Sequence, residues 1–215
     1  MLTLFEKGGF MMYPLALCSV LALAFVVERL WSLRRKKVLI PEIISVLEQV
    51  KKLDDLTMVK AVCEKFSGPF ASIVIGCIDN RDLPSEELRS TIEDEGRQQV
   101  RYLSRGLVLL ETIAGIAPLL GLLGTVLGMI EVFTVIETLG VGQAQALSGG
   151  ISKALITTAT GLFIGIPALV AYNLLNSRSE GMILDIEKYT LLLLNKIIRL
   201  QNKSNETIEL NLHSK

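Results

Sequence analysis

The sequence predicts an all-α integral membrane protein: three membrane-crossing helices with long helical extensions on the cytoplasmic side. Three observations lead there. Half of the 215 residues are hydrophobic and the mean hydropathy is +0.48, but only 6% are aromatic, so the apolar content is aliphatic and lies in runs. Three of those runs have about the 20-residue length that a helix needs to cross a bilayer. The basic residues, finally, gather at one flank of each run, which assigns that flank to the cytoplasm.

The first run, Phe10 to Val27, is uncharged and is followed by Glu28, Arg29 and the cluster Arg34, Arg35, Lys36 and Lys37. A cleaved signal peptide is the competing reading, since Lys7 precedes the run and Ala22-Leu23-Ala24 resembles a cleavage site. That triplet lies inside the run, and the basic cluster follows it as a stop-transfer flank would, so a retained span is expected. The same cluster places the N-terminus outside.

The next stretch, Arg34 to Arg105, carries 13 basic and 12 acidic residues and reads as a soluble, mostly helical surface. Pro41 can open a helix in which Ile44, Leu47, Val50 and Leu53 recur at helical spacing. A shorter amphipathic piece spans Asp55 to Phe66, Ser67-Gly68-Pro69 breaks it, and Asn80 to Pro84 forms a turn. From Ser85 the helical pattern resumes with Glu86 and Glu87 in its first turn, and Leu88, Ile92, Leu103 and Leu107 form one apolar face. One continuous helix is expected from about Ser85 through the second run.

The second run, Gly106 to Ile130, holds a single charge, Glu111, and the third, Ala154 to Leu175, holds none. Glu111 stands near the cytoplasmic end of its span and reads as an interfacial acid rather than a relay. Between the two runs, Glu131 to Ser152 contains no Lys or Arg, as suits an outside loop, whereas Arg178, Lys188, Lys196 and Arg199 follow the third run. A second cytoplasmic helix is expected from Asp185 to Leu200, with Gln201 to Lys215 loose. The chain thus divides into an outer N-terminus (1–9), spans at 10–31, 106–136 and 153–176, a cytoplasmic region (32–105), an outer loop (137–152) and a cytoplasmic tail (177–215).

Several function classes find no support. Basic and acidic residues number 22 each, which gives no electrostatic footprint for nucleic acid. Cys18, Cys63 and Cys77 form no CxxC pair, and the lone histidine, His213, lies in a polar tail. No Ser-His-Asp set, metal-ligand cluster or phosphate loop points to an enzyme, and no cofactor or metal is expected.

What remains is the composition of the second and third runs. Gly costs roughly 1 kcal/mol and Pro roughly 3 kcal/mol in a helix interior in water. In lipid, by contrast, small residues let helices approach closely, and Pro is tolerated where neighbours satisfy the backbone. Ala114, Pro118, Gly121, Thr125 and Gly128 follow one another at steps of four, three, four and three, and Gly124 with Gly128 makes a GxxxG pair. Ala154, Thr158, Gly161, Gly165 and Ala168 repeat the pattern, with Gly161 and Gly165 as the second pair and Thr157 and Thr160 beside the stripe. Two matching small faces, each carrying a hydroxyl, can serve tight helix packing or line a narrow pore in an assembly.

The segments GIAPLLGLLGTVLGMIEVF (Gly115 to Phe133) and GISKALITTATGLFIGIPALVAYN (Gly150 to Asn173) resemble the MotA/TolQ/ExbB proton channel family, most closely its ExbB/TolQ branch. The resemblance is specific over Ile113 to Asn176 and architectural elsewhere. It implies an inner-membrane homo-oligomer, a pentamer, around single-span helices of an ExbD/TolR-like partner that carries a membrane Asp. Proton flow would then power outer-membrane transport or envelope maintenance through a TonB/TolA-like protein, or another envelope process such as gliding. It further implies a proton pathway at Thr125 and Thr158, with Thr157 and Lys153 beside it. Packing would fall to Ala114, Pro118, Gly121, Gly124, Gly128, Ala154, Gly161, Gly165 and Pro167. Many family members carry a Glu five residues before the second of these threonines, and here that position is Lys153. A scaffold that does not conduct is the alternative.

Overall fold

The structure is a computed structural model that describes residues 8–34, 38–66, 68–140 and 144–213, with the side chains of 146 and 204–213 outside the description. The expectations for residues 1–7, for Arg35, Lys36 and Lys37, for Ser67, for 141–143 of the outer loop and for 214–215 lie outside the described residues, as does the His213 side chain. The described helices are α1 (Met12–Ser32), α2 (Pro41–Gln49), α3 (Asp55–Cys63), α4 (Pro69–Asp79), α5 (Ser85–Ser104), α6 (Leu107–Leu139) and α7 (Ala144–His213). Three of them are long and apolar enough to cross a membrane: α1, α6 and α7, the last through its segment Leu147–Lys203. An all-helical chain with three such helices fits a membrane protein.

The chain groups into two compact units, Met1–Trp31 with Gly106–Asn176, and Ser32–Arg105 with Ser177–Lys215. In the first, Met12 and Leu15 of α1 pack on Ala117 of α6, with Leu120, Ile156 and Ile164 against them. Large apolar side chains face outward all round: Val20 and Leu23 on α1, Leu119 and Leu122 on α6, Leu155 and Phe163 on α7. Phe163 is 81% exposed. Apolar surface on this scale needs lipid or other subunits to cover it.

The second unit has a core of its own. Helices α2 to α5 pack each on the next, and Ile43, Leu47, Leu56, Val59, Phe70, Ile73, Val74, Leu88, Leu193 and Ile197 are fully buried there. Pro opens both α2 and α4, where its missing N–H is no loss. The C-terminal end of α2 is capped in trans. Lys196 of α7 donates from Nζ to the carbonyls of Leu47 (3.0 Å) and Glu48 (2.8 Å), two of the groups that a helix end leaves without partners. Before α3, Asp55 Oδ2 accepts the backbone N–H groups of Lys51 and Lys52, each at 2.9 Å, which holds its carboxyl below the usual range. Burial pushes the thiols of Cys63 and Cys77 up to about 11 and about 12, so both stay protonated packing groups.

Several expectations are corrected here. The helix expected from Ser85 through the second run is two helices: α5 ends at Ser104, and Gly106 stands between it and α6 with φ +86°. That left-handed conformation suits glycine, and the buried Arg29 guanidinium fills the space a Cβ would take, its Nε 2.9 Å from that position. The tail expected to be loose continues α7 to His213, there being no Gly or Pro after Gly181 to stop it. In α2 the buried residues are Ile43 and Leu47, with Ile44 half-buried and Leu53 in the following turn. Helix α4, which the sequence reading did not set apart, is the most buried of the short helices.

Candidate functional site

The site is the seam between α6 and α7 in the first unit. It is built from the two small-residue stripes, which face one another. A Cβ on Gly121 would stand 3.0 Å from the Thr157 carbonyl and 3.3 Å from the Gly161 Cα. One on Gly161 would stand 2.6 Å from the Ala117 carbonyl, and one on Gly128 2.9 Å from the Ala154 Cβ. The Gly161 contact is closer than real Cβ atoms come, and the Gly121 contacts are tighter than nearly all of them, so here the two helices touch through bare glycine.

Pro118 explains a further contact, at Gly165. Having no N–H, it leaves the Ala114 carbonyl without its helical donor. Gly165 brings bare backbone to that spot: a Cβ there would lie 3.2 Å from the Ala114 oxygen and 2.6 Å from the Pro118 ring. The second proline, Pro167, is exposed and makes no part of this contact.

The hydroxyls on the seam differ in what they bond. Thr157 is buried against Gly124 and donates back into its own helix, to Ala154 at 2.8 Å and Lys153 at 3.1 Å. Thr125, half-buried, donates to Leu122 at 2.6 Å, and Thr160 to Ile156 at 2.8 Å. Such bonds to a preceding carbonyl are the usual resting state of Thr in a helix. Thr158 is different: it donates across the seam to the Gly121 carbonyl at 3.0 Å. Each hydroxyl keeps lone pairs that can still accept from water or an acid.

At the loop-side end of the seam Lys153 Nζ meets Glu131 Oε2 at 2.7 Å. Glu131 falls inside the span expected at 106–136, and α6 runs eight residues past it to Leu139; its pairing with Lys153 across the seam is what the sequence did not show. Glu131 lies three residues beyond Gly128 and Lys153 one before Ala154, which continues the stripe outward by a turn. Gly150 was also missed. It stands four residues before Ala154, and a Cβ there would be 3.0 Å from the Gly128 carbonyl. The four-residue step back from Ala154 was the signal for it. Glu111, for its part, is exposed on α6. Among the described residues no group of His, Cys, Asp or Glu could hold a metal ion.

Three long apolar helices, two of them joined by a glycine seam that carries hydroxyls, define a helical membrane protein with one closely packed helix pair. Residues 55–188 match the MotA/TolQ/ExbB proton channel family, and the chain belongs to that family. An ExbB-like biopolymer transport protein of Synechocystis is 35% identical over 178 residues, 80% of this chain and 69% of that one. The biopolymer transport protein exbB1 of Vibrio cholerae is 31% identical over 186 residues, 85% of this chain and 82% of its own. The Tol-Pal system protein TolQ of Haemophilus influenzae is 32% identical over 121 residues, 53% of each chain. The chain is therefore an ExbB/TolQ-type membrane subunit.

Proposed function

We propose that this chain is the proton-channel subunit of an inner-membrane motor of ExbB–ExbD or TolQ–TolR type. In this reading five copies, N-terminus out and C-terminus in, surround single-span helices of an ExbD/TolR-like partner that supplies a membrane Asp. The spans are 10–31, 106–136 and 153–176, and protons pass along the faces of Thr125 and Thr158, with Thr157 and Lys153 beside them. The motor works on the outer membrane or envelope through a TonB/TolA-like protein. The observation that carries the reading is a hydroxyl-bearing, close-packed seam in a member of a proton channel family.

The charge pattern supports this polarity. No Lys or Arg occurs from Glu131 to Ser152, and cations return at Arg178 and beyond. A carboxylate supplied by the partner is supported by the central parts of the three runs, which hold no acid, a group that is costly and conspicuous at mid-bilayer. A second reading, a scaffold that does not conduct, is favoured by the seam contacts themselves, since glycines in touch and one interhelical Thr bond are sufficient for packing.

Proton flux into liposomes under an imposed pH gradient separates the two. The subunit reconstituted with its single-span partner should conduct, and the subunit alone should not. An assembled complex that stays silent would favour the scaffold, while robust flux from the subunit alone would overturn the partner's role as proton carrier.

A further inference from the structure

Lys153 is a cation at one end of the uncharged stretch Ala154 to Leu175, and its carbonyl accepts the Thr157 hydroxyl. Its side chain is one-third exposed and is held from two sides. The Glu131 carboxylate takes its ammonium at 2.7 Å, and the bare Cα of Gly9 leaves room for its stem, which a side chain there would strike. The ammonium is a fixed positive charge at the loop-side end of the seam, one helical turn before Thr157 and Thr158, and it repels any cation approaching that end. In an oligomer, moreover, every copy adds one. Glu131 turns that charge into a local dipole.

We propose that Glu131 is a charge-masking residue: its carboxylate cancels Lys153 at the loop-side mouth of the seam and so keeps the mouth open to protons. This rests on the proton-path reading above. The two members of the pair are therefore unequal. Removing the acid leaves a bare cation at the mouth, whereas removing the lysine leaves an acid that attracts protons.

The test is partner-dependent flux in liposomes, normalised to assembled complex, for wild type, E131Q, K153Q and the double variant E131Q/K153Q. E131Q should lose flux by about tenfold or more. K153Q, which leaves the acid in place, should lose clearly less flux than E131Q, and the double variant should recover most of what E131Q alone loses. The E131Q deficit should also shrink between about 0.01 M and about 1 M salt, as the screening length falls from about 30 Å to about 3 Å. A mechanical tie between helices would instead give equal losses in both single variants, no rescue in the double and no salt effect, and that pattern overturns the proposal. So does wild-type flux in E131Q. Should E131Q fail to assemble, the swap E131K/K153E keeps the mouth neutral and should conduct; an assembled but silent swap overturns masking. A wild-type complex without flux overturns the proton-path reading and masking together, whereas a conducting wild type with symmetric variants overturns masking alone.

Discussion

Gly121 and Gly161 touch through backbone, so a larger side chain at either has nowhere to go: the nearest atoms are carbonyls and Cα atoms of the facing helix, not flexible side chains. Gly121→Leu or Gly161→Leu should therefore force α6 and α7 apart and lower the yield of intact oligomer severalfold in native mass spectrometry. Unchanged oligomers would mean the seam opens at little cost. Thr158→Val asks a finer question. It removes a bond to Gly121, whose carbonyl keeps its helical donor at Thr125, so the loss should be only about 0.6 kcal/mol. Thermal unfolding in detergent should show a small shift, and a large one would make Thr158 chiefly a packing residue. At this scale the sequence was informative about residue type and spacing, since the glycine stripes show at steps of three and four. It could not say that Thr158 would bond across the seam while Thr125 bonded within its own helix. Nor did it pair Glu131 with Lys153, 22 residues away through an intervening loop.

Among the elements, the spans were legible because about twenty apolar residues leave a helix few alternatives in lipid. The break at Gly106 was not, because a glycine at the edge of an apolar run reads equally as helix or as hinge. Nor could the sequence show that the Arg29 guanidinium, more than 70 residues earlier, stands where a Cβ at Gly106 would go. Gly106→Ala should accordingly cost about 1–2 kcal/mol in backbone strain alone, more if the guanidinium must shift, read as a lower thermal midpoint. In the second unit, α4 was overlooked because an 11-residue apolar run is too short for a span and shows no polar face. Its neighbours on all sides make it helical and buried. Lys196 counts in the sequence only as one of the cations that follow the third run, yet it caps α2. Lys196→Met keeps the stem and removes the donors, and should destabilise the unit by about 1–2 kcal/mol. Denaturation that matched wild type would mean that the cap adds nothing to stability.

For the molecule as a whole, hydropathy and charge suffice to describe a three-span helical protein, and membership of the MotA/TolQ/ExbB family agrees with it. In the proposed function, the acid that carries a proton comes from the single-span partner. The central claim is that the hydroxyls on the α6–α7 pair serve proton passage and not packing alone. Valine matches threonine closely in shape and lacks only the hydroxyl, so Thr125→Val with Thr158→Val removes the chemistry at nearly constant volume. The decisive measurement is partner-dependent proton flux in liposomes for this double variant, normalised to assembled complex. The account predicts that oligomers still form while flux falls by about tenfold or more, the range typical of a lost proton-transfer contact, and further than in either single variant. Wild-type flux from the assembled double variant would contradict it and leave these threonines to packing.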